Sequence, residues 1–358
     1  MKYTSGRTKS STTPRGFAGD AKPLKLLSIL PRASRPGVKS EGAKMKIVLK
    51  TAMSTLFIIS IVTGCHRPIE GAIVANENTV ELPALLFLSI TTPLDSSALD
   101  KKEILVRGAV ISKAQEVGVR VNGEPATVSG KEFVANRVPV GEGNSVVKAE
   151  AIDTNGGTAV TSVTVNRTPS RNPLRLAVNI DSGIGPLETV LRIDGVAGTA
   201  PDISYTGPGN VEFLDCSSPD SCKIKMTTEG VYAFTVTAVG YDGKTYSDRI
   251  AITVLDRAKL DALLKAKWEG MKAAVINGNL ELGLSYFAYG SRDKYRAIFM
   301  DPSRNITARL SEITKIEIYS IKGMVAQGGG IRIESDGAYA YPLTFVRDQN
   351  GMWKIMGF

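Results

Sequence analysis

Histidine is nearly absent from this chain. His66 is the only one among 358 residues, and it sits directly after Cys65 with no second ligand or base near it in sequence. That removes histidine-based triads, the HExxH zinc site and the commonest neutral-pH proton shuttle. Cysteine is scarce too, with three in all. No C-x-x-C occurs, so redox and zinc-ribbon patterns are excluded. GxSxG, GxGxxG and EF-hand loops are missing as well. Gly243-Lys244-Thr245 imitates the end of a phosphate loop. The first glycine of that motif would fall on Ala238, and a strand pattern follows where a helix is needed. The expectation is therefore no catalytic residue, no metal and no cofactor. A long membrane-crossing run is absent as well, since the most apolar stretch, within Met45–Cys65, is shorter than the ~20 residues a bilayer core requires.

The formal charge of +9 suggests an acidic partner until it is divided. Residues 1–64 hold 12 Lys and Arg against 2 Asp and Glu, and the rest holds 32 against 33. Beyond residue 64 the net charge is thus −1, and the chain has no general signature of nucleic-acid binding.

What is present begins at Met45. Lys46 and Lys50 precede an apolar core through Leu56, Phe57, Ile58, Ile59, Ile61 and Val62, which ends in Val62-Thr63-Gly64-Cys65. A charged start, an apolar run and a small-residue cleavage site make an export signal. The ending resembles the lipobox of bacterial lipoproteins. That resemblance implies lipidation of Cys65, cleavage before it and N-terminal acylation by a fatty acid such as palmitate. Residues 1–44 then read as an N-terminal extension, mis-called at the start codon or disordered, 45–64 as the signal peptide and 65–84 as a tether. The implied location is the cell envelope, anchored in the membrane through lipid. The absence of aspartate after Cys65 leans towards the outer membrane. In an oxidising compartment Cys216 and Cys222, six residues apart, read as a disulfide closing a small loop. Zinc lacks further ligands there, and free thiols are the bland alternative.

Residues 85–167 alternate in short runs separated by turns at Asn122-Gly123 and Asn155-Gly156-Gly157, a β-sandwich rhythm. The stretch VGVRVNGEPATVSGKEFVANRVPVGEGNSVVKAEAIDTNGG resembles the immunoglobulin-like accessory domain of glucodextranase type. Residues 173–255 repeat the pattern, and GVYAFTVTAVGYDGKTYSDRIAITV resembles the last strands of polycystic kidney disease (PKD) domains, without their WDFGDG-type signature.

From Asp256 the period changes. Leu260, Leu263, Leu264, Trp268, Met271 and Val275 fall at helical spacing, with Asp256 placed to start the helix and Asn277-Gly278 to stop it. Two further short helices and four strands follow, the last pair turning at Asn350-Gly351. The stretches KWEGMKAAVINGNLELGLSYF, SRDKYRAIF and YPLTFVRDQNGMWKIMGF resemble the nuclear transport factor two-like and SnoaL-like families. The fold class expected is two all-β immunoglobulin-like sandwiches followed by an α+β cone over residues 256–358. Folds of that kind pair through the open sheet and enclose an apolar pocket, which implies a homodimer and a candidate pocket or partner surface. Trp268, Tyr286, Tyr295, Tyr319, Tyr339 and Tyr341 are the candidates for it, with plain core as the competing account. The carboxylates Glu269, Asp293, Glu317 and Asp336 each sit among charged or turn residues and read as solvated surface. The expected function is non-enzymatic binding or scaffolding of an envelope protein or a glycan. The alternative is a small-molecule hydrolase or isomerase using the cone pocket.

Overall fold

The computed structural model describes residues 24–25, 86–169, 172–195 and 200–358. The signal stretch and the lipidation residue Cys65 lie outside the described residues.

Residues 86–167 form a β-sandwich. One sheet orders Phe87–Thr92, Glu103–Ile111, Glu132–Pro139 and Thr127–Ser129; the facing sheet orders Ser97–Leu99, Thr158–Arg167, Gly143–Asp153, Val117–Val121 and Glu124–Pro125. Alternation in the sequence sets the faces. Val147, Ala149 and Ala151 turn inward from Gly143–Asp153 and meet Val106, Phe133 and Val138 from the opposite sheet. The turn at Asn122-Gly123 has φ of 49° and 88°, the two left-handed residues that a two-residue hairpin demands.

The second sandwich packs the sheet Arg175–Val178, Leu187–Asp194, Ser221–Met226, Val211–Ser218 against Asp202–Thr206, Gly230–Val239 and Thr245–Leu255. Its core joins Leu191, Ile224 and Met226 to Tyr232, Phe234 and Ile252. The hairpin of Val211–Ser218 and Ser221–Met226 carries the Cys216–Cys222 disulfide, linking an exposed half-cystine to a buried one. Gly230–Val239 and Thr245–Leu255 pair in continuous register around Asp242-Gly243.

The C-terminal part opens with α1 (Arg257–Ile276). The Asp256 carboxylate caps it, accepting from Lys259 N at 2.9 Å, and Gly278 at φ 75° closes it. Then come α2 (Leu280–Ser285), α3 (Arg292–Met300) and α4 (Ile306–Glu312). Four antiparallel strands complete the chain: Ile313–Lys322, Val325–Glu334, Gly337–Arg347 and Trp353–Gly357. Leu264, Trp268, Met271 and Val275 on α1 pack on Phe345, Trp353 and Ile355 of this sheet. Ser291, read from sequence as the cap of α3, makes no side-chain cap bond; its hydroxyl donates to Met356 O at 2.7 Å and ties α3 to the last strand. Leu24–Lys25 pairs antiparallel with Ala340 and Tyr339 at the edge of Gly337–Arg347.

Strand pairing links the two sides of Leu255, which the sequence reads as the boundary between 173–255 and 256–358: Ser182–Ile184, three residues of the second sandwich, lie parallel to Thr245–Leu255 and bridge to Ile313–Lys322 through Gly183↔Lys322. A hydrogen bond from Gly323 N to Ser182 O at 2.7 Å extends the link. One sheet of the second sandwich and the C-terminal strands thus belong to one nine-stranded sheet, while the sandwich's other sheet stays separate. Backbone bonds of a shared sheet cannot be cut at a domain boundary without leaving unpaired N–H and C=O groups.

Candidate functional site

The six sequence candidates do not form one site. Trp268 and Tyr295 lie in the closed core under α1. Phe358 meets the Trp268 ring edge-on at 4.9 Å between centroids and stacks on Tyr295 at 5.1 Å; Phe287 stacks on Tyr295 at 4.3 Å. The Tyr295 hydroxyl accepts from Phe358 N and donates to Phe358 O, and burial pushes its phenol up. These aromatic side chains pack the space where a pocket was a candidate. Tyr286 is half-buried, and its hydroxyl lies so close to Gly270 that a β-carbon there would sit 2.4 Å from it. Tyr319 is 52% exposed and lies over Gly329 beside Ala340. Tyr339 and Tyr341 alternate with Ala340 and so face the other side of that sheet. Tyr339 donates to Asp336 at 2.7 Å, a bond that raises its phenol. Glu269, Asp293, Glu317 and Asp336 are all exposed. Among the described residues no group of three or more His, Cys, Asp or Glu could hold a metal ion.

The buried chemistry lies between the domains. On α1, Lys267 precedes Trp268 and is 6% exposed. Its ammonium pairs with Glu116 of the first sandwich at 2.5 Å. The other Glu116 oxygen accepts from Trp353 N at 2.7 Å. Beside them Arg347, 8% exposed, donates to Thr127 Oγ1 at 2.7 Å and lies 5.1 Å from the Trp353 ring centre. Burial pulls the Arg347 guanidinium down to about 10, while Asp181 and Glu116 act in the opposite sense from a distance. Two glycines permit the approach. A β-carbon on Gly118 would lie 2.2 Å from Asn350 O, and Gly351, at φ 81°, sits against Val119 O and Ala126 O. The Asn350-Gly351 turn, expected only to close a hairpin, also wedges the last strands onto the first sandwich.

A second polar junction joins the two sandwiches. Asp248, 6% exposed, pairs with Lys101 at 3.2 Å and Arg137 at 3.0 Å and accepts from Leu176 N at 2.7 Å. Arg137 also donates to Leu176 O. It stands at φ 57° beside a break in strand register, where a bulge re-aims a side chain away from its own sheet. The Asn136 amide exchanges two bonds of 2.9 Å with the backbone of Ala251, and Leu105 and Val134 pack on Val231 and Ala251.

Sequence reasoning missed Glu116, Lys267 and Arg347. One signal was available for Lys267. It falls three residues after Leu264, seven after Leu260 and four before Met271, on the apolar side of α1.

An open cleft of about 250 Å³ lies at the junction of first sandwich, α1 and last strands. Glu116, Arg347, Trp353, Leu255, Leu260 and Leu263 are among the residues that line it. A larger groove of about 860 Å³ runs between the two sandwiches, past Pro93, Tyr205 and Arg249.

No family model matches the chain, and no curated protein matches it. Solved structures similar to part of it include the fibronectin(III)-like modules of Clostridium thermocellum CbhA, at 16% identity over 48% of this chain and 96% of that one, with a TM-score of 0.19. Protocadherin Gamma B7 extracellular cadherin domains 1-4 match at 13% identity, 47% and 50% coverage and a TM-score of 0.18. The Bacteroides ovatus mixed-linkage glucan utilization locus SGBP-B, in complex with a mixed-linkage heptasaccharide, matches at 16% identity, 46% and 47% coverage and 0.17. The chain spans about half the length of the last two. The β-sandwich assignment rests on the sheet orders and cores above.

Proposed function

We propose that the chain is an exported, lipid-anchored envelope protein that binds a partner protein or glycan and performs no chemistry of its own. The resemblance of Val62-Thr63-Gly64-Cys65 to a lipobox supports the anchor. Acylation of Cys65 by two or more chains holds stably where one holds weakly. The finer family readings belong to the same proposal: a glucodextranase-type first domain, a PKD-like second and a nuclear transport factor two-like cone at the end.

The observation that carries the binding reading is the buried Glu116–Lys267 pair at 2.5 Å, together with the separate Asp248 junction. A buried ion pair adds little stability over good apolar packing, and here we read it as fixing one relative orientation of the parts it joins. A fixed orientation suits a protein that presents a composite surface, and serves a flexible spacer less well. The alternative of a hydrolase or isomerase in the cone pocket meets an interior occupied by Trp268, Phe287, Tyr295 and Phe358.

Processing at Cys65 would also remove Leu24–Lys25 and open the sheet edge at Tyr339 and Ala340. A homodimer through the open face near Tyr319 belongs to the same proposal. Palmitate labelling of the wild type and Cys65→Ser tests the anchor. The variant should stay unlabelled and unprocessed; label and mature size in Cys65→Ser would reject it. Cross-linking in native membranes followed by co-purification tests the partner. A discrete envelope protein or glycan retained by the wild type supports binding, and recovery of the bare chain alone speaks against it.

A further inference from the structure

We propose that the 250 Å³ cleft between the first sandwich and α1 binds a small monocarboxylate with an apolar tail, the carboxylate seated on the Arg347 guanidinium. Two buried cations stand at this junction, and they are treated differently. Lys267 has its carboxylate, Glu116. Arg347 has none among the described residues. Its side-chain hydrogen bond goes to a neutral hydroxyl, that of Thr127, and its face to the Trp353 ring. Asp181 and Glu116 influence it only from a distance, and Glu116 is engaged by Lys267 and by Trp353 N–H.

A guanidinium taken out of water without a carboxylate is costly to hold. It keeps N–H donors in a planar fork that matches a carboxylate with two parallel bonds. Arg347 lines the cleft, so a ligand entering it reaches those donors. The shape and charge of the cleft choose among anions. Leu255, Leu260 and Leu263 line the same cleft as Arg347, which calls for a hydrocarbon tail. Glu229 and Asp256 also line the cleft, paired with the single ammonium of Lys259. These carboxylates disfavour a dianion such as phosphate and tolerate a monoanion. The volume corresponds to roughly eight waters at ~30 Å³ each, below the usual drug-sized pocket, and fits a short-chain acid.

The proposal deepens the binding reading but does not need the lipid anchor. Unlabelled Cys65 leaves it standing, and its own failure leaves the anchor standing. The test uses the full chain with hexanoate as probe and hexanamide as its uncharged twin. Trp353 borders the cleft and the only other tryptophan, Trp268, is in the core, so tryptophan emission reports occupancy. Hexanoate should change the emission saturably and raise the unfolding midpoint, and hexanamide should bind at least about tenfold more weakly. Arg347→Gln should abolish the preference for the acid. Because that variant also loosens Thr127, Leu263→Phe gives an independent arm: it narrows the cleft without adding a tryptophan, leaves Arg347 in place and should weaken hexanoate binding at least about tenfold. No saturable binding by the wild type at about 10 mM hexanoate, equal affinity for acid and amide, or undiminished binding by Leu263→Phe would each overturn the proposal.

Discussion

Lys267 and Trp268 are neighbours on α1, both almost fully buried, and they belong to different structures. Trp268 meets Phe358 within its own domain, in an aromatic core. Lys267 reaches out of that domain to Glu116. The first burial is apolar and local, so removing it costs contacts with nearby side chains. The second is ionic and distant in sequence, so removing one partner strands a charge. One helix therefore serves two purposes: its apolar stripe builds the C-terminal domain, and one lysine on that side fixes the domain to another.

Substitutions can separate these two kinds of burial. The largest effect expected is from Trp268→Ala, about 3–5 kcal/mol for a fully buried aromatic with its cavity left behind. Chemical denaturation of the full chain measures it, and a loss under 1 kcal/mol would mean the core repacks freely. Glu116→Ala leaves Lys267 buried without a counter-ion and should cost about 3 kcal/mol. The same variant should raise protease sensitivity between the first sandwich and the rest, which Trp268→Ala should not do selectively. Replacing both Glu116 and Lys267 by apolar residues of similar size should recover most of the loss, since buried pairs are often no more stable than good packing.

Smaller effects are expected away from that helix. Cys216→Ser opens a short loop at a hairpin and should cost about 2 kcal/mol on chain-entropy grounds, with the buried pair at Lys267 unaffected. Alkylation before and after reduction checks the bond itself. The smallest change concerns Asp256. The backbone N–H of Lys259 holds its carboxyl below the usual range, so its contribution is present above the ordinary carboxylate pKa. It is lost as pH falls through the lowered folded value. Asp256→Asn keeps an acceptor but should flatten that acid-side decline of the unfolding midpoint. An unchanged acid profile would remove the cap from the account.

Which features were readable follows the same division. The start of α1 at Asp256 and its stop at Asn277-Gly278, and the turns at Asn122-Gly123, Asp242-Gly243 and Asn350-Gly351, are local signals, carried by a few adjacent residues. The Cys216–Cys222 bond followed from their spacing and from the oxidising compartment expected of an exported chain. Ser182–Ile184 was not legible as a joining strand, because three residues have no period to detect and their partners lie far along the chain. Glu116, Arg137, Asp248 and Arg347 carry no local signal of burial, because charged residues are seldom buried unless paired and their partners lie far along the chain. Of the six aromatic candidates, Trp268 and Tyr295 followed helical periodicity into the core. Tyr319, Tyr339 and Tyr341 remained on the sheet surface, on opposite faces.

A double-mutant cycle on Glu116→Ala and Lys267→Met, followed by denaturation of the full chain, addresses the claim that a buried ion pair couples the first sandwich to the C-terminal domain. Coupled residues in one network show interaction energies of about 0.5–3 kcal/mol, and the upper half of that range is expected here, with the double variant more stable than the sum of the single losses. Additivity within about 0.5 kcal/mol would contradict the account and leave the domains as neighbours without an energetic link through this pair.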